Sequence, residues 1–165
     1  MSEFSVTAIR IRIFLSVVVA LLLTTMPLPE LVSPYRPLFV PLVILFWSIF
    51  FPLRFTLFMA LLAGLALEAS QTLVFGQTAL GLIVISVFAL SNHRRIQLAA
   101  LPQQLLTVAA LLFVYQFLQI WIESLLDRPT EYSVRFIAVI FSMIFWPGVI
   151  VFMHKVILRK KHQAK

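Results

Sequence analysis

The chain has no cysteine, only six acidic residues and only four glycines among its 165 residues. Without cysteine there is no disulfide, no thiolate metal ligand and no Cys nucleophile. The glycines, Gly64, Gly76, Gly81 and Gly148, are too scattered to form a phosphate-cradling or dinucleotide loop. Charge of either sign is scarce, at 12% of residues against 62% hydrophobic, which excludes an ordinary soluble domain and describes an integral membrane protein. The scarcity is lopsided, because 13 basic residues face six acidic ones for a net charge of +7. The basic residues lie at the ends of apolar runs and in the tail rather than on a polar domain. A membrane surface, not nucleic acid, is the partner they fit.

Six apolar stretches fill almost the whole chain, approximately residues 13–26, 37–52, 55–75, 77–91, 103–126 and 134–156. The expected fold is therefore all-α, a single integral membrane domain over residues 1–165, with six transmembrane helices in one bundle and no extramembrane domain to house a reaction. The first stretch follows Arg10 and Arg12 like a secretory signal, but it ends in Met26-Pro27-Leu28-Pro29 without a small-residue cleavage site and reads as a retained helix. The second is bracketed by Arg36 and Arg54. Between them residues 38–51 carry no charge and only Ser48 is polar. Fourteen residues are short against the roughly 20 a span needs, so Tyr35, Leu53 and Phe55 are expected to extend the apolar surface while the arginines snorkel. Pro37 suits a first turn, Pro52 marks the far end, and Pro41 is placed to kink the helix early. Trp47 is expected as an interfacial aromatic near the Arg54 end.

The fourth stretch closes on Asn92-His93-Arg94-Arg95, the strongest internal charge cluster, expected as a polar cytoplasmic turn, and Pro102 opens the fifth. With six crossings, Arg10, Arg12, Arg54, Arg94, Arg95, Lys155, Arg159, Lys160, Lys161 and Lys165 share one face, against Arg36, Arg128 and Arg135 on the other. This bias of ten to three places both termini in the cytoplasm.

Polar residues inside the apolar runs are the candidate sites. Glu68 lies thirteen residues beyond Phe55, about 20 Å along the third helix, where a carboxylate must be paired, protonated or hydrated. Ala60 and Gly64 precede it at four-residue steps and form a face of small residues on which another helix can approach closely. Two readings stay open for Glu68: a structural carboxylate at a helix contact, bonded to Arg36 or a glutamine, or a ligand or proton site. Gln116, Gln119 and Glu123 recur on one side of the fifth helix, either bonding across the bundle or lining a polar cavity shared with Glu68. His93, His154 and His162 lack neighbours at metal-ligand spacing, and the acids lie at the opposite side of the membrane from the histidines, which leaves no catalytic triad.

The order and spacing of several short signatures resemble a known family. Met26-Pro27-Leu28-Pro29, Tyr35-Arg36-Pro37, Phe46-Trp47 and Phe51-Pro52-Leu53-Arg54 are similar to the first two helices of the rod shape-determining protein MreD family of gamma-proteobacteria. Gly64 and Glu68 resemble its third-helix glycine and acidic position, where Asp is more familiar, and Gln103-Gln104, Trp121-Ile122-Glu123 and Phe145-Trp146-Pro147 resemble later signatures. The resemblance implies a non-enzymatic, cofactor-free inner-membrane scaffold of the cell-elongation complex. Its implied partners are MreC, the actin-like MreB, RodA and the penicillin-binding transpeptidase of RodA, together with membrane lipid. Arg54, Arg94 and Arg95 are the candidate cytoplasmic contacts, and the small face around Ala60 and Gly64 is one candidate dock for MreC. The family's fold also looks like the substrate-binding S-components of energy-coupling-factor transporters, which keeps a small-molecule or lipid-binding alternative in view through Arg36, Glu68, Gln116, Gln119 and Glu123.

Overall fold

The computed structural model describes residues 3–26, 37–53, 55–71, 76–126 and 132–158. Among them all regular structure is helical: α1 (Glu3–Thr25), α2 (Phe39–Phe50), α3 (Phe55–Gln71), α4 (Gln77–Ser91), α5 (His93–Leu98), α6 (Leu101–Leu125) and α7 (Tyr132–Leu158). α2, α3, α4, α6 and α7 lie on the second to sixth apolar stretches, and α1 on the first, which it precedes by ten residues. α5 is an additional short helix between the fourth and fifth stretches, so the Arg94-Arg95 cluster sits on a helix rather than in a turn.

A helix that is apolar on every side has no face to offer water and belongs in the interior. α2 is such a helix, with residues 40–49 all buried, and α1, α3, α4, α5 and α7 pack around it. The neighbours α1, α4 and α7 contribute buried residues at helical spacing: Ile13, Val17 and Ala20 from α1, Leu82, Ile85 and Ala89 from α4, and Val139 and Trp146 from α7. Pro41 is the third residue of α2, in the first turn where backbone amides have no intrahelical acceptor, so it costs the helix no hydrogen bond and does not break it. Trp47 corrects the interfacial expectation. It is fully buried, and its indole Nε1 donates to Ser16 Oγ at 2.8 Å. An indole in the core needs a partner for its one donor, and α1 supplies it.

Burying α2 creates a second requirement, because its terminal backbone groups must also be satisfied. At its start the Leu38 amide donates to Ser142 Oγ of α7 at 2.7 Å. At its end Gln97 of α5 donates through Nε2 to the Ile49 carbonyl at 2.5 Å. α5 also buries Ile96 while leaving Arg94 and Arg95 exposed, so the short helix follows from the need to close α2.

Contacts between side chains sort the helix ends into two levels. The end of α3, the start of α4, the end of α6 and the start of α7 are joined by hydrogen bonds and an ion pair. At the other level the Arg10 guanidinium lies 5.6 Å from the centre of the Phe55 ring at the start of α3, and α5 closes the end of α2 and bonds Gln104 near the start of α6. The long helices therefore alternate in direction. Their outer faces are apolar as well, with Phe14, Leu22, Leu106, Ile144 and Phe152 all exposed, which is tolerable only against hydrocarbon or a partner. Thr7–Thr25, Leu101–Leu125 and Arg135–Met153 are long and apolar enough to cross a membrane, whereas the apolar helices α2, α3 and α4 are shorter, at 12, 17 and 15 residues.

Two buried serines separate the cost of losing a helix cap from that of losing a hydroxyl. Ser86 and Ser142 both donate to the carbonyl four residues back, at 2.6 Å, but only Ser142 also accepts an amide from another helix. Ser142→Ala should lower stability by about 1–3 kcal/mol and Ser86→Ala by clearly less, because only the first strands a backbone donor. Thermal unfolding in detergent, followed by circular dichroism, measures the difference.

Candidate functional site

The buried polar groups gather at one level of the bundle, around the start of α4. Gly76 adopts φ +90°, a left-handed conformation that suits glycine, and turns the chain into α4. The first amides of any helix lack carbonyl partners and carry partial positive charge. Here they point at Glu68, one helix away. Glu68 Oε2 accepts the Gly76 amide at 2.7 Å, and Oε1 accepts the Thr78 and Ala79 amides at 2.5 and 3.0 Å. A carboxylate only 2% exposed is thus held by three backbone donors and the positive end of a helix. The bond to a glutamine expected for Glu68 is not among these, and Arg36 lies outside the described residues.

Close approach of α3 and α4 makes this reach possible. A Cβ built at Gly64 would lie 2.6 Å from the Ala79 backbone nitrogen, far inside contact distance. Gly64 is therefore covered by this chain's own α4 and Ala60 is fully buried, which corrects the expectation of a small face open to MreC. A second close approach was missed in the sequence: a Cβ at Gly81 would sit 2.8 Å from the Tyr115 ring and 3.0 Å from Gln119 Nε2, so α4 is pressed against α6 as well.

The same first turn of α4 reaches the second carboxylate. Gln77 Nε2 donates to Glu123 Oε1 at 3.0 Å and to the Gln119 carbonyl at 3.1 Å, and Gln119 Nε2 returns a bond to the Gln77 carbonyl at 3.3 Å. Glu123 is also gripped by Arg135 of α7, whose Nη2 lies 2.6 and 2.7 Å from its two oxygens. Gln116, Gln119 and Glu123 are all buried on the inner side of α6, as their spacing requires. Residues 76–79 thus link both acids, with backbone amides on Glu68 and a side chain on Glu123.

Chemically, the arrangement holds helices together. Both carboxylates are engaged by protein donors, and Gln77 Oε1 is buried without a partner. Gln77 and Arg135 went unrecognised as members: Gln77 reads as the first residue of an apolar run, and Arg135 as one more basic residue at a helix end. The only available signal was proximity across two short turns. At the opposite level Arg94 and Arg95 are exposed on α5, and His93 Nδ1 lies 2.7 Å from the Leu90 carbonyl. Arg54 and His162 lie outside the described residues.

Glu68→Gln keeps the shape but replaces one acceptor oxygen by an NH₂ group facing amide donors. It should destabilise the fold by about 2–3 kcal/mol, the scale of hydrogen bonds to a charged group. The loss should appear as a lowered thermal midpoint and a reduced yield of monodisperse protein in detergent.

No solved structure matches the chain. A family model described as rod shape-determining protein MreD matches residues 5–156. With nearly its whole length covered and its helices apolar inside and out, the chain belongs to the MreD family of rod shape-determining membrane proteins.

Proposed function

We propose that the chain crosses the inner membrane six times with both termini in the cytoplasm, and acts there as a non-enzymatic scaffold of the cell-elongation complex. In this role it binds MreC within the bilayer and helps couple MreB, RodA and its penicillin-binding transpeptidase to lateral-wall peptidoglycan synthesis. Family membership carries the assignment to rod shape. The scaffold role is supported by the way the buried acids are used. Glu68 and Glu123 close helix–helix contacts instead of facing a substrate space, so the molecule's available chemistry is its surface.

Alternating helix directions and the ten-to-three distribution of basic residues both support six crossings. In that arrangement the Glu68–Gln77–Glu123–Arg135 network lies at the periplasmic level and α5 at the cytoplasmic level. The short central helix α2 is then shielded from lipid by its neighbours, which removes the demand that it match the bilayer on its own. MreC meets the outward apolar faces, since the Gly64 face is filled. MreB, approaching from the cytoplasm, meets the exposed guanidinium groups of Arg94 and Arg95.

A reporter fused after Lys165 should be active only in the cytoplasm. Periplasmic activity would reverse the assignment of faces. Depletion of the protein should round rod-shaped cells, and the natural chain should restore them. Arg94→Glu with Arg95→Glu should fail to restore shape while keeping normal membrane levels and the same reporter orientation. Full rescue by that double variant would remove α5 as the cytoplasmic contact.

A further inference from the structure

A groove of about 400 Å³ runs along the bundle between α1 and α7, with α2 as its floor. Its walls are apolar, formed by Leu15, Val19 and Leu23 on one side and Phe145 and Phe152 on the other, with Val43 beneath. The charged group among its lining residues is Arg12, at one end. α1 and α7 run in opposite directions, so the Arg12 end of α1 lies beside the Phe152 end of α7, and exposed Lys155 lies one helical turn beyond Phe152.

We infer that this groove seats one acyl chain of an anionic phospholipid, with the lipid phosphate at Arg12. The inference goes beyond the scaffold function, and rests only on the chain's residence in a bilayer. From Arg12 to Leu23 the helix advances about 16 Å at 1.5 Å per residue, close to one leaflet of a hydrocarbon core about 30 Å thick. A trough of one leaflet's length with apolar walls and a cation at one end matches the shape and chemistry of a single acyl chain below its headgroup. A guanidinium at one end only, where the leaflet surface falls, selects an anionic headgroup over a zwitterionic one.

Gly148 supplies the test. It lines the groove, and nothing lies within 4 Å of a Cβ built there, so a larger side chain grows into the groove without displacing a neighbour at its base. Purified protein in detergent is titrated with phosphatidylglycerol or phosphatidylcholine, and bound lipid is counted by native mass spectrometry. The natural chain should retain one phosphatidylglycerol in preference to phosphatidylcholine. Arg12→Gln should reduce that preference about fivefold, the scale of one basic residue near a charged lipid surface. Gly148→Leu should reduce retention of both lipids with an unchanged thermal midpoint. Equal retention of the two lipids by the natural chain, or undiminished retention by Gly148→Leu, would overturn the inference. So would disulfide linkage between two copies of Leu15→Cys in native membranes, since that cysteine would be the chain's sole thiol and its pairing would place a second copy in the groove. Lipid competition in detergent is blind to which face is cytoplasmic, so its failure and a failure of the proposed topology are told apart.

Discussion

The constraint on which the structure depends is that a backbone amide or carbonyl cannot be left bare in hydrocarbon. Helices meet it along their length and fail to meet it at their ends. In a water-soluble protein the ends are wetted. Here α2 and α4 begin or end inside the bundle, and side chains from other helices must complete them. Ser142 and Gln97 do so for α2, and Glu68 does so for α4. In each case the capping group comes from a different helix than the one it caps, so the same bond that satisfies the backbone also fixes which helices are neighbours.

This explains why so few polar residues suffice to specify the bundle. Apolar packing in a membrane has little preference between one greasy face and another, because lipid competes with protein on equal terms. Specificity must then come from shape at glycines and from hydrogen bonds. Gly64 lets α4 approach α3 closely enough for a glutamate to reach the amides, and the glutamate makes that approach worth keeping. Gly81 and Gln119 play the corresponding parts between α4 and α6. Close contact and polar bond are found together at both interfaces, and α4, caught between them, is the member common to both.

Much of this was legible in the residues. Apolar runs bounded by proline and arginine locate the helices, and the spacing of Gln116, Gln119 and Glu123 points that face inward. The identity of Glu68's partners was not legible, because backbone amides are present at every position and leave no mark in a sequence. Trp47 misled for a related reason: tryptophan suits an interface and a core equally, and only Ser16, thirty-one residues earlier, decides between them. The short helix α5 was hidden by its charges. Arg94 and Arg95 read as a turn, while the reason for the helix lies in Ile96 and Gln97, which serve α2. Tertiary demand outweighed the local pattern at each of these places.

The Glu68 cap also bears on how the chain enters the membrane in the first place. Alone in lipid, α3 would carry a naked carboxylate and α4 an open crown of amides, each a poor candidate for release from an insertion channel. Together they neutralise one another. The α3–α4 pair is accordingly far less costly to place in hydrocarbon than either of its arms alone.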